Sequence, residues 1–181
     1  DPSAWYFKEN GHPTLPFCVL LEAGLQPCGW LASFLGCALT SDEALFYRNL
    51  DGTGTLLREI TPEDKVLTTK VKCLNLSRIA SMIIISFNVQ CFIKGELVYT
   101  MDTAFGFFPA EAFAKQEGLS TPSEEENFID KPSNFFIDLT KQPPLYCDGS
   151  LRLADPMLLM IDTVNGFWPN EGSKKLGLLR A

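Results

Sequence analysis

The sequence is poor in positive charge. It has 15 lysine and arginine residues against 22 aspartate and glutamate residues, which gives a formal net charge of −7. Nucleic-acid-binding proteins carry a basic patch or stripe, and docking on an anionic membrane by bulk charge needs an excess of lysine and arginine. The composition therefore argues against both classes of partner, and we expect no nucleic acid to bind.

The sequence also lacks metal-type cysteine spacing and a secretory signal. Several cysteines fall inside predicted helices or strands, where this residue serves as a small buried hydrophobic side chain. We therefore expect reduced thiols in a cytosolic protein, with no metal and no cofactor. The chain begins at Asp1 and not at a methionine, which indicates an excerpt of a longer protein. The cysteines are Cys18, Cys28, Cys37, Cys73, Cys91 and Cys147.

An apolar run from Phe17 to Gly36 is the most informative stretch of the sequence. A helix that is apolar almost all round is normally buried on every side. Residues 23–39 carry no formal charge and so resemble a membrane span, but Gln26, Pro27 and three glycines favour a buried core helix. We expect a core helix that starts near Pro16, and no membrane span.

Polar and very small side chains recur in this run at steps of three and four residues. They therefore share one face of the helix. Because an isolated carboxylate on such a face is costly to desolvate, we expect Glu22 to be partnered, protonated or used in chemistry. This face, the seam, consists of Glu22, Gln26, Gly29, Ser33 and Gly36.

Alternating apolar and polar residues predict a half-buried antiparallel sheet after the helix. The predicted strands are residues 44–49, 55–60, 65–75, 82–93 and 97–107. A turn at residues 51–54 separates the first two, and Lys94-Gly95 indicates a tight hairpin between the last two. The pattern predicts an α+β fold in which a curved antiparallel sheet wraps a long central helix.

Composition divides the chain into three parts. Residues 1–117 hold the helix and the long strands, and residues 118–150 are a predicted linker or excursion. This second part carries the acidic run Glu124-Glu125-Glu126, which we interpret as solvated charge. Residues 151–181 contain short apolar elements that we assign to another unit.

Six runs within residues 1–120 carry a family resemblance: residues 5–7, 15–22, 25–32, 47–50, 55–59 and 104–108. They resemble hot-dog-fold dehydratases that act on 3-hydroxyacyl groups carried by acyl carrier protein. The similarity is closer to the dehydratase region of polyunsaturated fatty acid synthases, which are polyketide-synthase-like megaenzymes. Residues 151–181 resemble the opening of such a fold, so they are expected to start a following hot-dog unit or to belong to a permuted one.

The resemblance implies a lyase of fatty acid biosynthesis that dehydrates 3-hydroxyacyl thioesters to 2-enoyl thioesters. In this family a histidine removes the α-proton, and an aspartate or glutamate on the central helix helps to expel the hydroxyl group as water. Glu22 stands at the acid position and Gln26 matches a frequent companion. The resemblance also implies an acyl groove, which we assign to Gln26, Phe17, Cys18 and Ser33.

The sequence departs from the family pattern at the histidine. Residues 8–10, Lys-Glu-Asn, stand where the family has it, and the only histidine of the chain, His12, comes later. The family's small residue at the helix start is replaced by Phe17. His12 is therefore either a shifted catalytic base or a structural loop residue.

Three hypotheses remain open. The chain is the scaffold half of a double hot dog in the dehydratase, a self-sufficient dehydratase that uses His12 and Glu22 as a homodimer, or a non-catalytic module that binds an acyl chain or carrier protein. A hot-dog thioesterase is a further option. The missing loop histidine and the tail favour the first hypothesis. The expected partners are an adjacent hot-dog domain or a homodimer mate, and the acyl carrier protein thioester.

Overall fold

The computed structural model describes residues 1–39, 41–114, 116–118, 120 and 126–181. These residues pack into two units. The first unit comprises Asp1–Phe7 and Pro13–Gln116, and the second comprises Lys8–His12 and Glu117–Ala181. The division at residues 117 and 150 that composition suggests stays a prediction.

One long helix organises the first unit. A five-residue helix, α1 (Trp5–Glu9), precedes α2 (Phe17–Phe34), and a short 3-10 helix follows at Cys37–Leu39. Pro16 precedes α2 with φ −55°, as predicted for the helix start, and its carbonyl accepts hydrogen bonds from the first turn. Residues four apart along α2 share one face. That face is buried and consists of Leu20, Gly24, Cys28 and Ala32.

A four-stranded antiparallel sheet packs against this buried face of α2. Its strands are β1 (Phe46–Leu56), β2 (Thr68–Ile79), β3 (Met82–Ile93) and β4 (Glu96–Phe108), in the order β1-β4-β3-β2. Every second residue of β3 is buried, from Ile83 to Ile93, as the alternation predicts. Lys94 and Gly95 have φ values of 49° and 88°, which the predicted tight hairpin requires. The helix-and-sheet α+β architecture is therefore confirmed.

The prediction of two short strands separated by a turn is wrong. Residues 46–56 form one strand with a bulge between Asn49 and Asp51. Gly54 lies inside this strand because the buried ring of Tyr99 packs directly over it: a Cβ at Gly54 would lie 2.9 Å from Tyr99 Cζ. Glycine in a strand marks close approach here, not a turn.

The outer side of α2 is exposed in this chain. Trp30 and Phe34 are 68% and 73% exposed, and their rings stack with centroids 5.3 Å apart. The expectation of burial on every side is therefore met on the sheet side only. By length and composition α2 also suits a membrane span, a test that the core helices of soluble proteins pass equally.

The cysteines are all free thiols. Cys28, Cys37, Cys91 and Cys147 are buried as expected, whereas Cys18 is exposed and Cys73 is half-buried. Burial raises the pKa of Cys28 to about 12, so this thiol stays protonated at neutral pH.

The second unit is built from short elements. They are β5 (Ile137–Asp138) paired with β6 (Thr163–Val164), β7 (Gly166–Trp168) paired with β8 (Leu178–Arg180), a 3-10 helix at Leu139–Lys141, and α3 (Pro144–Cys147). The Arg180 guanidinium donates hydrogen bonds to the carbonyls of Phe128, Ile129 and Lys131. Residues on both sides of position 150 thus pack together here. Of the predicted acidic run, Glu124 and Glu125 lie outside the described residues.

Replacement of Gly54 by alanine should destabilise the first unit by about 1–3 kcal/mol, because the added methyl group overlaps the fully buried Tyr99 ring. Urea unfolding measures this change. Gly52→Ala in the same strand is the control, since its Cβ would come no closer than 3.4 Å to Thr103 Oγ1. Equal stability of the two variants would contradict the close approach.

Candidate active groove

The seam of α2 forms one wall of a groove of about 640 Å³. Glu22, Gln26, Gly29 and Ser33 all line it, as their shared helical face predicts. Gly36 lies beyond the end of α2 with φ 80° and does not line the groove. Spacing along the helix therefore brings four of the five seam residues to one concave surface.

The opposite wall and the floor come from β1 and β4. Tyr47 pairs with Phe107 and Asn49 with Phe105 in the antiparallel register, so these four side chains lie on the helix-facing side of the sheet. The Tyr47 ring stacks on Phe105 with centroids 4.8 Å apart and an interplanar angle of 7°. Its centroid also lies 4.7 Å from that of Phe107. The groove thus has an aromatic floor beneath polar rims.

Glu22 is partnered within the groove. The side-chain amide nitrogen of Gln26 donates a hydrogen bond to the Glu22 carboxylate, one helical turn away. Both side chains are exposed in this chain, so the expected desolvation of the carboxylate does not occur here. The physical reason is that the sheet covers the opposite stripe of α2 and leaves the seam open.

Tyr47 carries a buried hydroxyl group for which the described residues supply no hydrogen-bond partner. It lies under α2 at Gly29, whose absent Cβ would be 3.8 Å from the hydroxyl oxygen. Burial, with smaller contributions from Cys28 and Cys37, raises the pKa of Tyr47 above its ordinary value. The phenol therefore stays protonated at neutral pH and cannot act as a base.

Three predicted site residues lie elsewhere. Phe17 is half exposed and meets the Tyr99 ring edge-on, and Cys18 is exposed; neither lines the groove. His12 is exposed and belongs to the second unit, whereas Glu22 belongs to the first. The pairing of His12 with Glu22, and the acyl-groove roles of Phe17, Cys18, Gln26 and Ser33, stay predictions.

Two further groove residues have no role predicted from the sequence. Tyr47 and Asn49 are two residues apart on β1, and this spacing is the signal that places both on the same face as Phe105 and Phe107. The predicted strand at residues 44–49 already contains both residues, but no local pattern shows that this strand pairs with β4 beside α2. Within the described ranges no group of three or more potential metal ligands occurs.

Comparisons with known proteins give matches over most of the first unit. Residues 1–102 match the family model of the FabA-like domain. The chain is 30% identical over 128 residues to a polyunsaturated fatty acid synthase subunit of a Thraustochytrium species, and the match covers 68% of this chain. The chain spans 8% of the length of that relative.

Solved structures give weaker matches. A probable thioesterase from Bartonella henselae has 14% sequence identity and a TM-score of 0.43, covering 55% of this chain and 81% of the other. A hypothetical protein from Aquifex aeolicus has 13% identity and a TM-score of 0.34, covering 51% and 80%. At these scores neither likeness bears on function.

Replacement of Ser33 by leucine should change the free energy of unfolding by no more than about 0.5 kcal/mol, because this side chain faces the open groove. The neighbouring Ala32 is fully buried, so Ala32→Leu should cost about 1–3 kcal/mol through overpacking. Urea unfolding of the two variants makes the comparison. A cost for Ser33→Leu as large as that for Ala32→Leu would contradict the position of the groove.

Proposed function

The chain belongs to the FabA-like domain family, and from this we propose that it forms part of a dehydratase for 3-hydroxyacyl thioesters in a synthase of the polyunsaturated fatty acid type. The family match confirms the resemblance and the hot-dog fold class expected from the sequence. In the proposal this segment is the scaffold half of a double hot dog. The observation that carries it is the Glu22–Gln26 pair in a groove with an aromatic floor.

Dehydration of a 3-hydroxyacyl thioester requires a base and an acid on opposite sides of the substrate. A base takes the α-proton, the electron pair forms the new carbon–carbon double bond, and an acid gives a proton to the departing hydroxyl group, which leaves as water. In the proposal Glu22 is that acid. The amide of Gln26 then holds the carboxyl group in one orientation through their hydrogen bond.

We assign a scaffold role to this segment because it lacks the catalytic base of the family. Lys8, Glu9 and Asn10 stand where the family places its histidine, and the only histidine of the sequence, His12, is exposed. The phenol of Tyr47 is too weakly acidic to replace it. We therefore propose that a neighbouring hot-dog lobe supplies the base, while this segment contributes an acyl-groove wall and Glu22.

The exposed side of α2 supports a neighbouring lobe. Contiguous apolar surface on a folded domain commonly marks an interaction site. Trp30 and Phe34 form such a surface next to the groove, because Trp30 also lines it. In the proposal an adjacent hot-dog domain, or a second copy of the chain, covers this side, and residues 151–181 open the following unit. The setting proposed is a cytosolic megaenzyme whose substrate arrives on acyl carrier protein.

A second candidate is a module that binds an acyl chain or carrier protein without chemistry. The lack of the family's histidine in the loop after Trp5 favours it over a self-sufficient dehydratase. It differs from the scaffold proposal in the role of Glu22, which would then bind but not transfer a proton.

This chain alone should hydrate a 2-enoyl pantetheine thioester at a negligible rate, because it lacks the family's loop histidine. The measurement is the loss of the conjugated enoyl absorbance with time. His12→Ala should leave the background rate unchanged. Rapid turnover that His12→Ala abolishes would establish the self-sufficient dehydratase instead.

In the proposed synthase, Glu22→Gln should lower the dehydratase rate constant by about 10²-fold or more, because the positioned acid is lost. Glu43→Gln, an exposed acid of the first unit outside the groove, is the control. A rate unchanged by Glu22→Gln, with substrate affinity reduced, would support the binding module and contradict the acid role.

The double variant Trp30→Ser, Phe34→Ser should separate the two lobes of the proposed synthase, since it removes the stacked apolar pair from the outer side of α2. Hydrogen exchange of the α2 amides should then become faster. For the chain alone, sedimentation should show a dimer converted to a monomer if the mate is a second copy. Leu74→Ser on β2, also an exposed apolar residue, is the control. If the double variant changes neither the hydrogen-exchange rates of the α2 amides nor the sedimentation mass, no partner covers the outer side of α2.

A further inference from the structure

Asn49 is held in one orientation by a short chain of hydrogen bonds. Its amide nitrogen donates to Thr103 Oγ1 over 2.9 Å, and the Thr103 hydroxyl donates to the backbone carbonyl of Asp51 over 2.8 Å. Thr103 is 5% exposed, so water does not compete for its hydroxyl group. The chain of bonds spans the bulge of β1 and fastens Asn49 to β4.

The direction of these bonds follows from the chemistry of the groups. The Asp51 carbonyl only accepts, so the single hydroxyl proton of Thr103 is directed to it. Thr103 Oγ1 can then only accept from Asn49, and the group that faces it must be the NH₂ of the amide. The side-chain carbonyl oxygen of Asn49 is consequently left as an acceptor to which the described residues donate nothing.

The groove on which Asn49 lies is rich in acceptors. One N–H of the Gln26 amide donates to Glu22, and the Gln26 carbonyl oxygen remains an acceptor on the helix wall. Asn49 adds a fixed acceptor on the strand wall, above the aromatic floor of Phe105 and Phe107. Such a surface favours a ligand that combines an apolar chain with hydroxyl or amide donors. The volume of about 640 Å³ lies in the range of small-molecule sites.

We propose that Asn49 is a ligand-binding residue of this groove, whose side-chain carbonyl accepts a hydrogen bond from a donor of an acyl thioester. Thr103 is its positioning residue. The donor is either the 3-hydroxyl group of the acyl chain or an amide N–H of the pantetheine arm, and both present the same chemistry to the carbonyl. This inference rests on the proposed function, since it names what binds in the same groove.

The test compares three ligands by calorimetry on this chain: a 3-hydroxyacyl pantetheine thioester, the saturated acyl pantetheine thioester, and a 3-hydroxyacyl thioester of a short thiol without amides. Asn49→Ala should weaken binding by about fivefold for every ligand that carries the donor in use. If the variant binds only the two hydroxyacyl ligands more weakly, the donor to Asn49 is the 3-hydroxyl group. If it binds only the two pantetheine ligands more weakly, the donor is an amide N–H of the pantetheine arm.

Two further variants separate binding from folding. Asn88→Ala removes an asparagine that donates to Asp102 over 2.8 Å between β3 and β4, outside the groove, and should not change affinity. Thr103→Val leaves Asn49 in place but frees its amide to turn, so it should weaken the same ligands by a smaller factor. If Asn49→Ala unfolds the chain, Thr103→Val and Asn49→Leu, which has a similar shape but no acceptor oxygen, are measured in its place.

Three results would overturn the inference. If the folded Asn49 and Thr103 variants bind all three ligands as tightly as the wild type, Asn49 does not bind the ligand, and the proposed function is unaffected. An equal loss in Asn88→Ala would show a general effect on the sheet. Failure of the wild-type chain to bind any of the ligands would contradict the acyl groove itself, and with it the inference.

Discussion

The packing of one stripe of α2 on the centre of the sheet determines the rest of the first unit. Leu20, Gly24, Cys28 and Ala32 are buried on this side, and Gly24 allows the sheet side chains to approach the helix closely. A Cβ at Gly24 would lie 3.4 Å from Met101 Cε and 3.5 Å from a methyl carbon of Val89. Because packing of this buried face sets the rotation of α2 about its axis, it also determines which α2 residues line the groove beside β1. The groove is a consequence of core packing.

The long elements were predictable from the sequence because each obeys one simple period. The six buried residues of β3 alternate without exception, and the seam of α2 repeats at three and four residues. β1 was not predictable as one strand, since Gly52 and Gly54 suggest a turn until the ring of Tyr99 is known to lie over Gly54. The groove wall of Tyr47 and Asn49 was not predictable because it depends on the pairing of β1 with β4, which is distant in the sequence. Exposure of Glu22 depends on what covers α2, which no local pattern encodes.

The described lining of the groove combines a carboxyl group with oxygen acceptors and includes no histidine. Glu22, Gln26 and Asn49 offer oxygen atoms, and the Tyr47 phenol, with its raised pKa, stays neutral. In the proposal this groove binds and orients a hydroxyacyl thioester, and Glu22 protonates the leaving group while a neighbouring lobe removes the α-proton. Chemistry divided between two lobes would account for a FabA-like domain that has a carboxyl group on its helix but no histidine in the loop after Trp5.

A crystal structure of the proposed two-lobe assembly with a non-reactive 3-hydroxyacyl pantetheine analogue would show directly whether two lobes share the chemistry. We expect the analogue to lie between α2 and β1, with its hydroxyl group beside Glu22 and with a histidine of a neighbouring lobe at its α-carbon. A groove filled by side chains of the neighbouring lobe, with the analogue bound elsewhere, would contradict the shared site.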